Sequence, residues 1–209
     1  EIRSNQPFHF KNYVLSFNGE IFNYIDLKNS LIKAGYKFET QSDTEVLIKL
    51  FDFEGINCFK KLSGIFALSI YDTNLKKLYL IRDAVGVKPL YYYHEPSSKK
   101  FVYSSLINSI LLSLNEKKLN YKAWISYSNF NRNDYRETFF QNIYKVLPGE
   151  LIEVSNGDYK RVKFIDFEFK KVNKNYNSLK EINYHFSKQF ISDVPVALSL
   201  SGGIDSNII

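Results

Sequence analysis

The sequence predicts an α+β domain built on antiparallel sheets rather than a βαβ repeat, followed by the opening of an α/β domain. Residues 66–71 alternate in period two, Phe66, Leu68 and Ile70 against Ala67, Ser69 and Tyr71. Asp72-Thr73-Asn74 then supplies a turn, and residues 78–81 return. Asn156-Gly157 separates two more strand-like runs and is the strongest hairpin signal in the chain. Near the end, Val194-Pro195-Val196-Ala197-Leu198 reads as a buried strand running into Leu200-Ser201-Gly202-Gly203-Ile204-Asp205-Ser206.

The remaining elements fall between these landmarks. Residues 13–18 read as a strand that ends at Asn18-Gly19. A helix follows Asn23, with Leu27, Leu31 and Ile32 on one face and Gly35 as its stop. Ser42-Asp43-Thr44-Glu45 is a capping box, Ser at the N-cap and Glu at the third helical position. The helix it opens buries Val46, Leu47, Leu50 and Phe51 and ends at Gly55. Residues 90–93 and 101–103 pair around Glu95-Pro96-Ser97-Ser98, residues 107–114 are helical, and residues 151–154 and 159–164 flank Asn156-Gly157. Residues 166–177 are polar and charged and read as a linker between a first domain, 1–165, and the start of a second, 178–209. Ser178 opens an amphipathic helix carrying Leu179, Ile182, Phe186 and Phe190 at helical spacing.

Composition excludes several classes of protein. At 44% hydrophobic and 17% aromatic residues, the chain has the material for a packed core and is not disordered as a whole. No apolar run is long enough to cross a bilayer, so no membrane partner is expected. The single Cys58 excludes an intramolecular disulfide and suits a reducing, cytoplasmic setting; within Ile56-Asn57-Cys58-Phe59 it reads as a core residue. A formal charge of +6 invites a nucleic-acid reading. The lysines, however, are scattered in pairs such as Lys60-Lys61, Lys76-Lys77 and Lys99-Lys100. They read as solvated surface, and no nucleic-acid partner is expected.

Two motifs carry chemistry. In Ser201-Gly202-Gly203-Ile204-Asp205-Ser206 the glycines let the backbone turn and expose N–H groups, and the hydroxyls add donors around one phosphate-sized hole. The pattern resembles the pyrophosphate loop of ATP-pyrophosphatases and lacks the lysine of a Walker loop. The second motif is Phe17-Asn18-Gly19-Glu20-Ile21-Phe22-Asn23-Tyr24. A strand ending in Asn-Gly can direct a side-chain amide and an unobstructed backbone N–H to one point, the geometry of an oxyanion hole; a plain turn is the alternative. Glu20 and Asp43 add carboxylates that can accept from an ammonium, although an acid in a helix's first turn is also stabilised there by the helix dipole.

In order along the chain stand Asn18-Gly19-Glu20-Ile21-Phe22-Asn23-Tyr24, Ser42-Asp43-Thr44-Glu45, Leu62-Ser63-Gly64-Ile65-Phe66-Ala67, Arg82-Asp83-Ala84-Val85-Gly86-Val87-Lys88-Pro89-Leu90-Tyr91-Tyr92, Leu147-Pro148-Gly149 and the terminal loop. This ordered set resembles the glutamine-hydrolysing asparagine synthetases. The resemblance implies a four-layer αββα N-terminal-nucleophile glutaminase fold followed by a Rossmann-like synthetase domain. It implies an oxyanion hole at Asn18 and Gly19, with Glu20 and Asp43 holding the α-amino group of glutamine. It also implies ATP held by Leu200 and by Ser201, Gly202, Gly203, Asp205 and Ser206, with Asp205 near a magnesium ion. The substrates implied are glutamine, ATP, and aspartate or another carboxylate acceptor, and a homodimer is compatible with the family.

The family's nucleophile is a cysteine exposed as residue one, its own α-amine serving as base. Neither that cysteine nor the family's upstream arginine segment is present in these residues, and Ser104-Ser105-Leu106 stands where a Ser-Glu pair is usual. The chain is therefore expected to be an internal fragment, inactive by itself. Two alternatives stay open: a related amidotransferase acting on another carboxylate, such as a sugar acid, and a non-catalytic glutaminase-like scaffold.

Overall fold

Alternation along the strands sorts the apolar side chains onto two faces, and that sorting builds the layers. A computed structural model describes residues 5–131, 136–165, 178–190, 195, 197, 200–204 and 206. The larger sheet runs in the order β1 (Phe8–Phe10), β2 (Tyr13–Ile21), β3 (Gly64–Asp72), β4 (Lys77–Arg82), β8 (Glu150–Ser155) and β9 (Asp158–Lys163). The smaller sheet runs β6 (Lys100–Ser104), β5 (Tyr91–Glu95), β7 (Ile143–Lys145), and every pairing in both sheets is antiparallel. Tyr79, Ile81 and Leu151 share one core with α1 (Tyr24–Lys33) and α2 (Asp43–Glu54). Leu80 and Ile152, one residue out of phase, meet Tyr92 of β5 in a second core. Tyr93 and Ile143 turn the other way, onto Ile110 of α3 (Ile107–Leu112). Three cores between helix, sheet, sheet and helix make the four-layer αββα arrangement. Ala67 and Ser69 are buried because the second sheet covers the face that a lone hairpin would leave wet.

The chain divides into two compact units, Glu1–Asp166 and Phe167–Ile209. In the second, α5 (Ser178–Gln189) forms where the apolar spacing places it. Phe190 falls one residue beyond that helix, and Ile182 remains 39% exposed. The linker at 166–177 lies outside the described residues. So does the strand at 194–198, apart from Pro195 and Ala197, neither of which is in a strand. Among the described residues, no helix is long and apolar enough to cross a membrane.

Local details depart from the sequence reading for identifiable reasons. Ile32 is 50% exposed, because Leu27 and Leu31 alone fill the contact between α1 and the core. The capping box at Ser42 is half formed. Ser42 Oγ accepts from Thr44 N–H at 3.0 Å, whereas Glu45 turns away to Lys49 and to the N–H and hydroxyl of Thr40, both at 2.7 Å. Ser42→Ala should therefore cost about 1 kcal/mol of unfolding free energy. Urea denaturation checks this, and a cost near zero would show that Glu45 and Thr40 hold the helix start unaided. The hairpin at Asn156-Gly157 forms as expected, with φ of 52° and 81°. α4 (Tyr121–Phe130) has no signal in the apolar pattern. Its large side chains point all round, with Tyr121 and Phe130 each 69% exposed.

Candidate active site

Asn18-Gly19 does not end a strand. β2 continues to Ile21, pairing Asn18 with Ala67, Gly19 with Phe66, Glu20 with Ile65 and Ile21 with Gly64. What permits this is an unusually close approach of two backbones. A Cβ on Gly19 would lie 2.0 Å from Ile65 O and 2.7 Å from Phe66 Cα, and one on Gly64 would lie 2.2 Å from Glu20 O. Gly19 also has φ +144°, which side-chain-bearing residues rarely adopt.

Backbone groups along an antiparallel strand point alternately to either side, which fixes where each donor faces. The Phe66 N–H and C=O both turn toward the β4 side, where they bond Asp83 at 3.2 and 2.8 Å. Gly19 and Phe66 are therefore a non-hydrogen-bonded pair. On β2, the N–H groups of Phe17, Gly19 and Ile21 face away from β3. That of Phe17 donates to Gln6 Oε1, and that of Ile21 donates to Asp43 Oδ2 at 3.1 Å. Alternation thus sets the Gly19 N–H between these two, on the edge next to Asp43.

The side chains of Asn18 and Glu20 project from the face opposite Phe17 and Ile21, away from α1 and α2. Asn18 lines a cleft of about 150 Å³ with Ser16, Ala67, Leu90 and Tyr103. Tyr103 Oη donates to Ser69 Oγ at 3.1 Å and so ties the two sheets together at the cleft. Glu20 is half-buried. Asp43 sits in the first turn of α2, brought to β2 by its bond from Ile21. Burial pushes its carboxyl above the ordinary aspartate value, partly offset by bonds from the N–H groups of Ile21 and Thr44. A carboxylate that meets a cation here regains what burial took from it. A larger cleft, about 560 Å³, is lined by Tyr93, Glu95, Lys100 and Lys118. It opens by the smaller sheet and α3 and contains none of these donors.

Two residues at the site carry no local sequence signal, Gln6 and Tyr103. Each acts across a long span of chain, one onto Phe17 and the other onto Ser69. Cys58 is fully buried in the core between α2 and the larger sheet, and burial raises its thiol pKa far above the usual range. It lies on the opposite side of that sheet from the Asn18 side chain.

In the terminal loop, Ser201 and Ser206 hydroxyls are hydrogen-bonded at 2.8 Å, and Ser206 Oγ donates to Gly203 O at 3.2 Å. Gly202 has φ +76° with open space where a Cβ would stand, and Ile204 and Ser206 are helical. Exposed glycines, two converging hydroxyls and a helix start fit a phosphate group. Asp205 lies outside the described residues.

The four layers and the donor edge define the class first: an N-terminal-nucleophile glutaminase fold. The fold is shared with glutamine phosphoribosylpyrophosphate amidotransferase from B. subtilis complexed with ADP and GMP (TM-score 0.51, 23% identity, 77% of this chain and 32% of that one). It is shared also with the allosteric regulatory enzyme of purine biosynthesis (TM-score 0.54, 21% identity, 78% and 32%). The chain belongs to the glutamine amidotransferase domain family, which it matches over residues 1–165. Among curated proteins it is 34% identical to asparagine synthetase [glutamine-hydrolyzing] 1 of Bacillus subtilis (strain 168), over 98% of this chain and 33% of that protein. It is 32% identical to amidase chry2 of Gibberella zeae, over 97% and 31%. The chain spans about a third of the length of these relatives.

Proposed function

We propose that residues 1–165 supply the glutamine-binding and oxyanion-holding part of a glutaminase site whose thiol belongs to the full-length protein, and that this protein passes the ammonia to an ATP-dependent amide-forming reaction of the asparagine synthetase type. One observation carries the reading: the Gly19 N–H stands on a strand edge that no strand pairs with among the described residues, beside the Asp43 carboxylate and with the Asn18 amide on the same strand. Asp43 and Glu20 would take the α-ammonium of glutamine. A thiolate of the full-length protein, the exposed cysteine that the family resemblance implies, would add to the carboxamide carbon, and the negative charge that develops on its oxygen would be met by Asn18 Nδ2–H and Gly19 N–H. The tetrahedral adduct collapses to a thioester and ammonia, the leaving nitrogen taking up a proton. Water then cleaves the thioester to glutamate and free thiol.

Cys58 is not that thiol, on grounds of burial and position. Cys58→Ala should leave glutamine hydrolysis unchanged and cost about 1 kcal/mol of stability through lost packing. Glutamate release and a denaturant titration check both.

The terminal loop supports the second half of the reading. Ser201, Ser206 and the backbone of Gly202 and Gly203 would hold ATP phosphates, with Leu200 against the nucleotide and Asp205 toward a magnesium ion. ATP supplies activation of the acceptor carboxylate by adenylylation. Aspartate is the acceptor favoured by the synthetase relatives, and the likeness to amidase chry2 keeps another carboxylate in view. Such chemistry draws on cytoplasmic pools of glutamine and ATP.

The test is to incubate full-length protein with glutamine, ATP, magnesium and aspartate and to follow glutamate, pyrophosphate and asparagine. All three should form together. Glutamate and pyrophosphate without asparagine would redirect the acceptor, and no glutamate at all would leave a scaffold.

A further inference from the structure

We propose that Asp83 is a positioning residue for the Gly19 oxyanion donor; the proposal rests on the glutaminase reading above. Asp83 follows β4 directly and is fully buried, yet its carboxylate accepts from five backbone N–H groups. Oδ1 accepts from Val85, Gly86 and Val87 at 3.1, 2.6 and 3.0 Å, and Oδ2 accepts from Lys88 at 3.1 Å. These four donors make a nest of the kind that elsewhere captures a free anion, here filled by the protein's own side chain. The fifth donor is not in the loop. It is Phe66 N–H on β3, 3.2 Å from Oδ2.

That fifth bond links the nest to the site. Asp83 also donates its own N–H to Phe66 O at 2.8 Å, so one residue engages both backbone groups of Phe66. Phe66 is the register partner of Gly19. In a non-hydrogen-bonded pair the Cα atoms come within about 4.5 Å, and no bond between the two holds their spacing. The flanking pairs, Asn18 with Ala67 and Glu20 with Ile65, hold it together with packing, and the space is tight enough that a Cβ on Gly19 would run into Phe66 Cα and Ile65 O. Wherever Phe66's backbone is fixed, Gly19 must follow.

The loop itself has a separate fastening. The Arg82 guanidinium donates to Lys88 O, Gly86 O and Val146 O at 2.7, 2.7 and 2.8 Å, and Gly149 N–H donates to Asp83 O at 2.9 Å. Loss of the Asp83 charge would therefore leave the loop tied while freeing a buried Phe66 N–H on the β4 side of β3, in the backbone that pairs with the oxyanion donor's strand. An oxyanion donor acts in the transition state, so misplacing it lowers kcat and leaves KM.

The experiment uses full-length protein carrying Asp83→Asn or Asp83→Ala. Glutamine kcat and KM, ammonia-dependent product formation and the thermal midpoint are measured for each. In Asp83→Asn the new amide N–H groups oppose the nest donors. We expect glutamine kcat to fall about tenfold or more, with KM within about twofold and the ammonia-dependent rate unchanged. In Asp83→Ala the nest is vacated, and added formate should restore part of the glutamine kcat without raising that of the wild type. An unchanged kcat in Asp83→Asn overturns the proposal. So does a parallel fall of both activities that tracks the folded fraction, or failure of both variants to fold. A wild-type protein that releases no glutamate overturns the glutaminase reading instead, so the two failures are distinct.

Discussion

Asn18→Ala is expected to lower glutamine-dependent turnover in the full-length protein by about 10²–10³-fold while leaving ammonia-dependent turnover intact. The side chain is exposed at the cleft between β2 and the smaller sheet and belongs to none of the three cores, so truncation opens no cavity in them. Nothing in the fold depends on it in the way that β2 depends on Gly19. The loss should fall on kcat and kcat/KM alike, because the amide is called on when charge develops on the carbonyl oxygen rather than when glutamine first binds. Ammonia supplied in solution bypasses that step. A parallel loss of both activities would make Asn18 a structural residue, and a rise in KM alone would move it from the oxyanion to the substrate's ground state.

The strands read at 66–71 and 78–81, the hairpin at Asn156-Gly157 and the helix after Ser42 were legible because each is specified locally, by period, turn chemistry or cap. Asn18-Gly19 stands out in sequence as a candidate site, but its reading as a strand end fails, because β2 runs on to Ile21. Local sequence offers Asn-Gly as a turn, whereas the continuation of β2 depends on Gly64, some forty-five residues away, whose missing Cβ lets the backbones close. The same holds for Glu45. The capping-box pattern is satisfied in sequence, yet a buried Lys49 and the Thr40 backbone compete for the carboxylate and win. α4 was invisible because it is apolar on more than one side. Ala67 and Ser69 alternate with the apolar Phe66, Leu68 and Ile70, and it is the second sheet that makes their face interior.

Asp43→Asn should raise the glutamine KM by about 10–100-fold with a smaller change in kcat, the scale expected for a hydrogen bond to a charged partner. It should also move the pH profile, in a direction fixed by the sign of the shift. Burial holds the Asp43 carboxyl above its ordinary value, so the free protein loses its ammonium acceptor at a higher pH than an exposed aspartate would. A bound α-ammonium favours the ionised form and draws that value back down. The acid limb of kcat/KM, which reports free protein, should thus lie at higher pH than the acid limb of kcat, which reports the complex. In Asp43→Asn the separation between the limbs should vanish. Stability runs the other way. Because the folded state holds this proton more tightly than the unfolded chain, the group's contribution favours folding in acid and is lost as pH rises through the folded-state value. Above that pH the unliganded Asp43→Asn protein should melt no lower than wild type, since an amide oxygen can still accept from Ile21 N–H without the cost of a buried charge. A variant that melts well below wild type at neutral pH, with KM unchanged, would make Asp43 a cap of α2 and remove it from the glutamine site.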